Sequence, residues 1–298
     1  MRPGRAADLE AIRELTRRSV AGGEADVVPS GAWLERLLTA FDWESRSRVV
    51  ERAGKVEAAV VVFERPAAGG VVTRVEAHGD PALRPDLIEW GVRSSRACGA
   101  AVAQVWRGRG RGADVAALGL SMARPFLRMD RPALGEMDSI PAPSLPAGYR
   151  LLDDGSGLDD HTWAEAYNAS FADHWRFSPK TDAVVAGRRA MPGGGPELMA
   201  VSEGGEPAAL VTCSVERYDD RRAQPVGIVA TVGTVPEHRR RGLARVLLVE
   251  ALRRLRRAGA SSASLYVDGL NPTRAFELYA WAGFDVAFEF EVWEADFT

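Results

Sequence analysis

The sequence predicts an α/β (α+β) protein of two tandem domains, each a mixed, mostly antiparallel central sheet flanked by helices. Three observations lead there. The 298 residues are 46% hydrophobic and 27% charged, an ordinary globular composition at two-domain length. Residues 135–148 carry Pro141, Pro143 and Pro146 without an apolar period, so they form a partly extended linker near the middle of the chain. The order of helices and strands before that linker repeats after it. The domains are therefore 1–134 and 149–298, joined by the linker 135–148.

In the first half, residues 8–20 set Leu9, Ile12, Leu15 and Thr16 on one side of a helix, and 30–41 form a second one. A hairpin turning at Gly54-Lys55, a strand over 71–77, a helix over 87–97 and a strand over 101–106 follow. In the second half, 158–171 and 181–190 have helical spacing, and Gly193-Gly194-Gly195-Pro196 breaks the chain. Residues 197–202, 208–217 and 226–235 then read as a three-strand meander. Leu243, Val246, Leu247, Ala251, Leu252 and Leu255 share one face of a long helix ending near Ala258-Gly259. A strand over 263–267, a helix opened by Asn271-Pro272 and running to Ala282, and a closing strand over 284–293 complete the chain. Phe288, Phe290 and Val292 alternate with Glu289 and Glu291 in that last strand, as in an edge available for pairing. Val75 to Gly99 spans the same 24 positions as Val235 to Gly259, so the halves read as a duplication at an offset of 160.

Composition removes several function classes. With 38 basic and 41 acidic side chains the net charge is -3, and no global positive field exists to hold nucleic acid or an anionic membrane. The amino terminus is charged throughout, unlike a signal peptide, and the longest apolar run, 58–63, is far short of a membrane span. A cytoplasmic protein, monomer or homodimer, is expected. Cys98 and Cys213 give neither a disulfide framework nor a metal site, and both read as small buried apolar residues.

The chemistry concentrates at Val235-Pro236-Glu237-His238-Arg239-Arg240-Arg241-Gly242-Leu243-Ala244-Arg245, which joins a strand to the long helix. First-turn N–H groups lack intrahelical partners, Gly242 admits close backbone approach, and the helix dipole and guanidinium groups favour phosphate. The plain alternative is a solvated basic helix start.

Arg239-x-x-Gly242-x-Ala244 after Val235-Pro236 resembles the acyl-CoA loop of the GCN5-related N-acetyltransferase (GNAT) superfamily. Leu265-x-Val267, Asn271, Ala275, Leu278-Tyr279 and Gly283-Phe284 look like the second half of that family's signature. The tandem arrangement is distantly similar to the mycothiol synthases. This resemblance implies two GNAT-like domains, acetyl-CoA as co-substrate without a metal, and acetyl transfer to the primary amine of a small molecule or peptide by direct attack on the thioester. It implies that Arg239, Arg240, Arg241, Gly242, Leu243, Ala244 and Arg245 hold the pyrophosphate. It further implies that Thr234 and Val235 offer main-chain groups to pantetheine and the thioester carbonyl, that Asn271 contacts the coenzyme, and that Tyr279 protonates the departing thiolate. Asn271 before Pro272 is equally a helix N-cap, and Tyr279 a buried helix tyrosine.

The sequence departs from the family at the general base. The strand glutamate of the mycothiol synthases falls on Ile228, which argues against that activity itself, and leaves Glu216, Tyr218, His174 or water as the base. Asp173, His174, Trp175 and Phe177 lie where the family fold places part of the acceptor wall, and two aromatics around an acid and an imidazole suit a cationic amine. Alternatively, Trp175 and Phe177 plug a helix–helix connection.

At the offset of 160 the phosphate loop lands on Gly79-Asp80-Pro81-Ala82-Leu83-Arg84, and Arg111 and Gly119 replace the asparagine and tyrosine. The first half therefore reads as a degenerate copy that shapes the acceptor site of the second. Three competing readings are a dinucleotide site at Gly108-Arg109-Gly110-Arg111-Gly112, nucleic-acid binding by Arg253, Arg254, Arg256 and Arg257, and a CoA-binding sensor without turnover.

Overall fold

The structure is a computed structural model that describes residues 1–26, 41–67, 69–135, 143–153, 157–190, 194–216, 224–271 and 273–298. The helix expected over 30–41, most of the linker, Gly193, Tyr218 and Pro272 fall outside the described residues. The first half runs β1 (Arg2–Pro3), α1 (Leu9–Ala21), α2 (Trp43–Arg46), β2 (Ser47–Arg52), β3 (Lys55–Ala67), β4 (Gly70–Gly79), α3 (Arg84–Ala97), β5 (Ala100–Gly108), α4 (Ala113–Ala117) and β6 (Ser121–Arg131). The second runs β7 (Tyr149–Asp153), α5 (Asp160–Phe171), α6 (Asp182–Arg189), β8 (Gly194–Ser202), β9 (Pro207–Glu216), β10 (Val226–Thr234), α7 (Leu243–Arg257), β11 (Ser262–Asp268), α8 (Ala275–Trp281) and β12 (Asp285–Asp296).

The strands of both halves join in one 12-stranded sheet of order β1-β2-β3-β4-β5-β12-β6-β11-β10-β9-β8-β7. Only β4 with β5 and β10 with β11 are parallel; the other neighbours are antiparallel. The final strands are exchanged between the halves. β12 lies between β5 and β6, pairing Val292 with Trp106 and Phe290 with Phe126, while β6 pairs with β11, Leu265 opposite Met129. The reading of the closing strand as an edge is thereby corrected: its alternating face is covered by a strand on each side.

The cores follow the exchange. Met129 and Leu134 of the first half are buried with Leu247, Leu252 and Phe284 of the second, while Trp293, Ala295 and Phe297 pack onto the first-half cluster of Val60, Leu87, Ile88 and Val105. Full burial of an aliphatic side chain of this size stabilises by roughly 1.5–3 kcal/mol, so each half depends on residues contributed by the other. The long helix follows its periodicity except at Val246, which is half-buried: Leu243, Leu247, Ala251, Leu252 and Leu255 are buried as expected, Leu248 is buried with them, and α7 packs on β8, β9 and β10. In α3, a Cβ on Gly91 would lie 2.5 Å from Val75 Cγ1, so glycine is what allows helix and sheet to meet there.

The duplication holds in order but not at one offset. The ends of α3 and α7, Ala97 and Arg257, keep the spacing of 160, and Gly99 and Gly259 both turn the chain with positive φ, 80° and 92°. The connections before those helices differ: residues 80–83 link β4 to α3, whereas 235–242 link β10 to α7. Val75 is consequently a buried mid-strand residue, not the counterpart of Val235. Cys213 is buried, and burial pushes its thiol up to about 12; Cys98 is exposed, contrary to expectation, with Sγ bonded to Ser95 O at 3.1 Å.

Candidate active site

β10 and β11 pair only from Val226–Ile228 with Ser262–Ser264. Beyond that the strands separate, β10 carries a bulge between Val229 and Thr231, and a cleft of about 990 Å³ opens between them. The phosphate-loop residues, the last turn of α5, Asn271 and α8 line it. Two backbone features shape the loop. Arg240 and Gly242 have positive φ, 67° and 83°, a region that favours glycine, and Gly242 caps α7 there. Among the described residues no acceptor is found for the main-chain N–H groups of 240 to 244, so five consecutive donors at a helix N-terminus beside the cleft are left for an anion.

The arginines divide by role. Arg239 is a brace: Nε donates to Thr234 O at 3.1 Å, one terminal nitrogen to Ser170 O at 3.2 Å, and the other pairs with Asp173 at 3.2 Å. Arg241 donates to Tyr149 Oη at 2.8 Å and Glu237 O at 3.1 Å. Arg240 is exposed, and the exposed Arg245 lies with its guanidinium carbon 4.8 Å from the Trp281 ring centre. Leu243 is buried in the core, so only its main chain faces the cleft, while Ala244 is half-buried at the helix start.

At the strand end the expected pair of main-chain donors is reduced to one. Val235 N–H donates to Ala208 O at 2.9 Å, so it is tied into the β9 side of the sheet. Strand alternation turns the Thr234 main chain the other way, leaving its N–H as the remaining donor, while its carbonyl accepts from Arg239 Nε at 3.1 Å. Tyr279 on α8 is 7% exposed, lines the cleft, and has no hydrogen-bond partner for its hydroxyl among the described residues; burial raises its pKa, so the phenol keeps its proton. Asn271 is also at the cleft, but its Oδ1 accepts from Thr273 N at 2.8 Å and Thr273 Oγ1 at 2.7 Å, closing a turn. α8 therefore begins at Ala275, later than the expected Asn271 start.

Two expected residues are elsewhere. Glu216 sits opposite Val226 at the far end of β10, roughly 25 Å along the strand from Thr234 at about 3.3 Å per residue, and accepts from Ser214 Oγ at 2.9 Å. It is too distant to take a proton from an amine at the cleft. Phe177 lies outside the lining, stacked on Tyr167 with ring centres 6.3 Å apart. Asp173, His174 and Trp175 do line the cleft. His174 packs edge-on to Phe171 at 4.6 Å, and burial lowers its pKa, so its imidazole stays neutral.

Four cleft residues escaped sequence reasoning. Gly233 allows α5 to lie on β10, since a Cβ there would come within 2.7 Å of Phe171 and 2.9 Å of Ser170; a glycine inside a strand was the available signal. Ser170 is 3% exposed, and its Oγ is a buried polar atom without a partner among the described residues. Phe126 and Arg124 of β6 reach the site only through the strand exchange, Phe126 in the lining and Arg124 paired with Asp268.

The equivalent opening in the first half is filled by its own chain. Glu24 O accepts from Gly108 N at 3.3 Å, a Cβ on Gly108 would lie 2.3 Å from Gly23 O, and the Glu24 carboxylate pairs with Arg84 at the start of α3. The amides that lead into α3 are taken as well: Ala82 N donates to Asp80 Oδ1 at 2.9 Å, and Leu83 N and Arg84 N to Asp80 O at 3.0 Å and 3.2 Å. His78, next to last in β4 as Gly233 is in β10, bonds Ser19 Oγ through Nδ1 at 3.0 Å. The proposed dinucleotide fingerprint is likewise committed: Gly110 N donates to Glu291 Oε1 at 2.9 Å, a Cβ on Gly112 would strike the Trp293 ring, and α4 has five residues. On α7, Arg254 and Arg257 pair with Glu250, and Arg254 also with Asp153.

Comparisons with known proteins bear on the family and the fold. Residues 161–284 match the acetyltransferase (GNAT) family. The chain is 31% identical to a mycothiol acetyltransferase of Nocardia farcinica over 78% of this chain and 67% of that protein. It is 32% identical to one of Frankia alni over 71% of this chain, spanning 60% of that relative's length. A solved tandem GNAT protein from the clavulanic acid biosynthesis pathway shares the fold at TM-score 0.69 and 16% identity, over 99% of this chain and 97% of that one. The protein belongs to the GNAT acetyltransferase family.

Proposed function

We propose that the protein is an acetyl-CoA-dependent N-acetyltransferase with one coenzyme site, in its second half, acting on the primary amine of a small molecule. The observation that carries this is the run of five unpartnered amides, 240 to 244, at the N-terminus of α7, opening onto the same cleft as the Tyr279 hydroxyl. The fit to a pyrophosphate is positive: the donors are main-chain, the helix dipole points at them, and Arg240 and Arg245 are exposed beside them. Acetyl-CoA bound there supplies an activated thioester. Thr234 and its neighbours line the strand edge along which the pantetheine arm would run, and the main-chain N–H left there by Thr234 stabilises negative charge on the thioester oxygen. The Tyr279 hydroxyl gives its proton to the leaving sulfur, which departs best as a thiol. Asn271 shapes the turn into α8 and keeps its amide nitrogen for the ligand. The filled first-half opening supports a structural role for residues 1–134, which give Phe126 to the cleft wall.

Steady-state thiol release with Tyr279→Phe tests the acid. Turnover should fall about 100-fold or more, the range of a positioned general acid, with acetyl-CoA affinity changed less than about threefold. Unchanged turnover would remove Tyr279 from the chemistry.

A further inference from the structure

We propose, resting on the transferase reading above, that the acceptor is an amine that arrives uncharged on a flat apolar body, an arylamine in the simplest case, and that Ser170 Oγ hydrogen-bonds its amino group.

The face of β10 turned toward α5 is set by Gly233, which touches Phe171 and Ser170. By strand alternation Thr231 shares that face, and Ile228 lies opposite to Gly227, which faces Leu255 of α7. None of these three carries a carboxylate. The acids that line the cleft are each engaged: Asp173 by Arg239 at 3.2 Å, Asp268 by Arg124 and by Leu270 N at 2.8 Å, and Glu277 by Arg274. Trp175 is no better placed to hold a cation, because the guanidinium carbons of Arg124 and Arg176 already lie 5.4 Å and 5.9 Å from its ring centre. The acid-and-aromatic wall expected to attract an ammonium group is thus occupied by the protein's own arginines. An ammonium buried there would find no unengaged carboxylate among the described residues and would leave water uncompensated.

What the wall offers is aromatic surface. Phe126 lies 6.0 Å from Trp175 and 4.9 Å from Trp106, and Tyr266 extends the same side of the cleft. A planar apolar body stacks on such rings without needing charge. Besides the Tyr279 hydroxyl, one more side-chain polar atom at the cleft has no partner among the described residues: Ser170 Oγ, which is buried. The duplicated half shows what this position does when no ligand is served. There Ser19, on the last turn of α1, is bonded by His78; in the second half Gly233 stands in the place of that histidine and leaves the hydroxyl for a guest. A neutral amine needs no base before attack. Its nitrogen forms the bond to the acetyl carbon, the carbon–sulfur bond breaks, Tyr279 protonates the sulfur, and the proton shed by nitrogen returns the phenol to its starting state through solvent.

The experiment measures CoA thiol release by the full chain with acetyl-CoA and three probes at neutral pH: p-toluidine, cadaverine and glucosamine. The expected result is kcat/KM for p-toluidine at least about tenfold above both others. Ser170→Ala should raise its KM about fivefold while acetyl-CoA affinity is unchanged, the size of one lost hydrogen bond. Preference for cadaverine would overturn the uncharged acceptor, and preference for glucosamine the flat apolar body, with the transferase reading intact in both cases. An unchanged KM in Ser170→Ala would remove Ser170 from recognition. Thiol release with none of the three by a protein that still binds acetyl-CoA would overturn this inference alone, whereas loss of acetyl-CoA binding as well would overturn the transferase reading.

Discussion

At position 78 the first half carries a histidine where the second has Gly233, and the histidine bonds Ser19 where Gly233 leaves Ser170 Oγ without a partner among the described residues. Burial lowers the His78 imidazole to about 4, with Ser19 bonded to it and Glu76, Arg74, Arg84 and Arg107 around it. In the unfolded chain a histidine takes its proton near 6.5. Between those values the unfolded state binds the proton and the folded state does not, so the stability held by neutral His78 is complete above pH 6.5 and is lost as pH falls toward about 4. Urea midpoints measured across that window should drop, and His78→Asn should flatten the drop; an equally steep loss in the variant would place the acid sensitivity elsewhere. The site was legible residue by residue only where the signal was local. Gly242 and the amides after it belong to one loop whose conformation the sequence dictates, and Tyr279 sits at a fixed helical distance from Gly283. Glu216 was misplaced because a strand sequence does not say which of its ends meets the cleft, and Arg239 proved a brace because its three acceptors come from separate segments.

Elements with a strong period were found close to where they lie. The long helix was expected to end near Ala258-Gly259 and does so at Arg257, and the meander's last strand was expected over 226–235 and occupies Val226–Thr234. Among the short elements, α6 was expected over 181–190 and occupies Asp182–Arg189, but others differ. α8 starts late because Asn271 closes a turn onto Thr273 before the helix can begin. β7 pairs with β8 at the rim of the sheet, with Tyr149 opposite Ser202, in a stretch read as the start of a domain without a strand. The duplication was legible because both helices end alike at Gly99 and Gly259, yet the connection feeding each helix differs in length, 80–83 against 235–242. Shortening that connection removes the loop that presents the amides, which is a physical reason for a copy to keep its fold and lose its ligand.

Across the whole molecule the linker separates the halves in sequence but the sheet does not separate them in space. Strand exchange leaves no trace in hydrophobic pattern, since an inserted strand and an edge strand both alternate, and so the domain boundary at 135–148 and the contribution of Phe126 to the cleft could not both be read from the chain. Residues 149–298 alone would leave β11 and β12 without β6 between them and remove Met129 and Leu134 from the core. Neither half expressed alone should show a cooperative thermal transition, and the two co-expressed should co-purify; a cooperatively folding 149–298 that binds acetyl-CoA would contradict this interdependence. The central claim, one coenzyme site formed by the loop before α7 and none in the first half, is tested most directly by calorimetric titration of acetyl-CoA into the full chain. The account predicts one site per chain, abolished in Gly242→Asp, where a side chain at φ 83° is strained and its charge opposes phosphate. Two sites per chain, or one that survives Gly242→Asp, would contradict it.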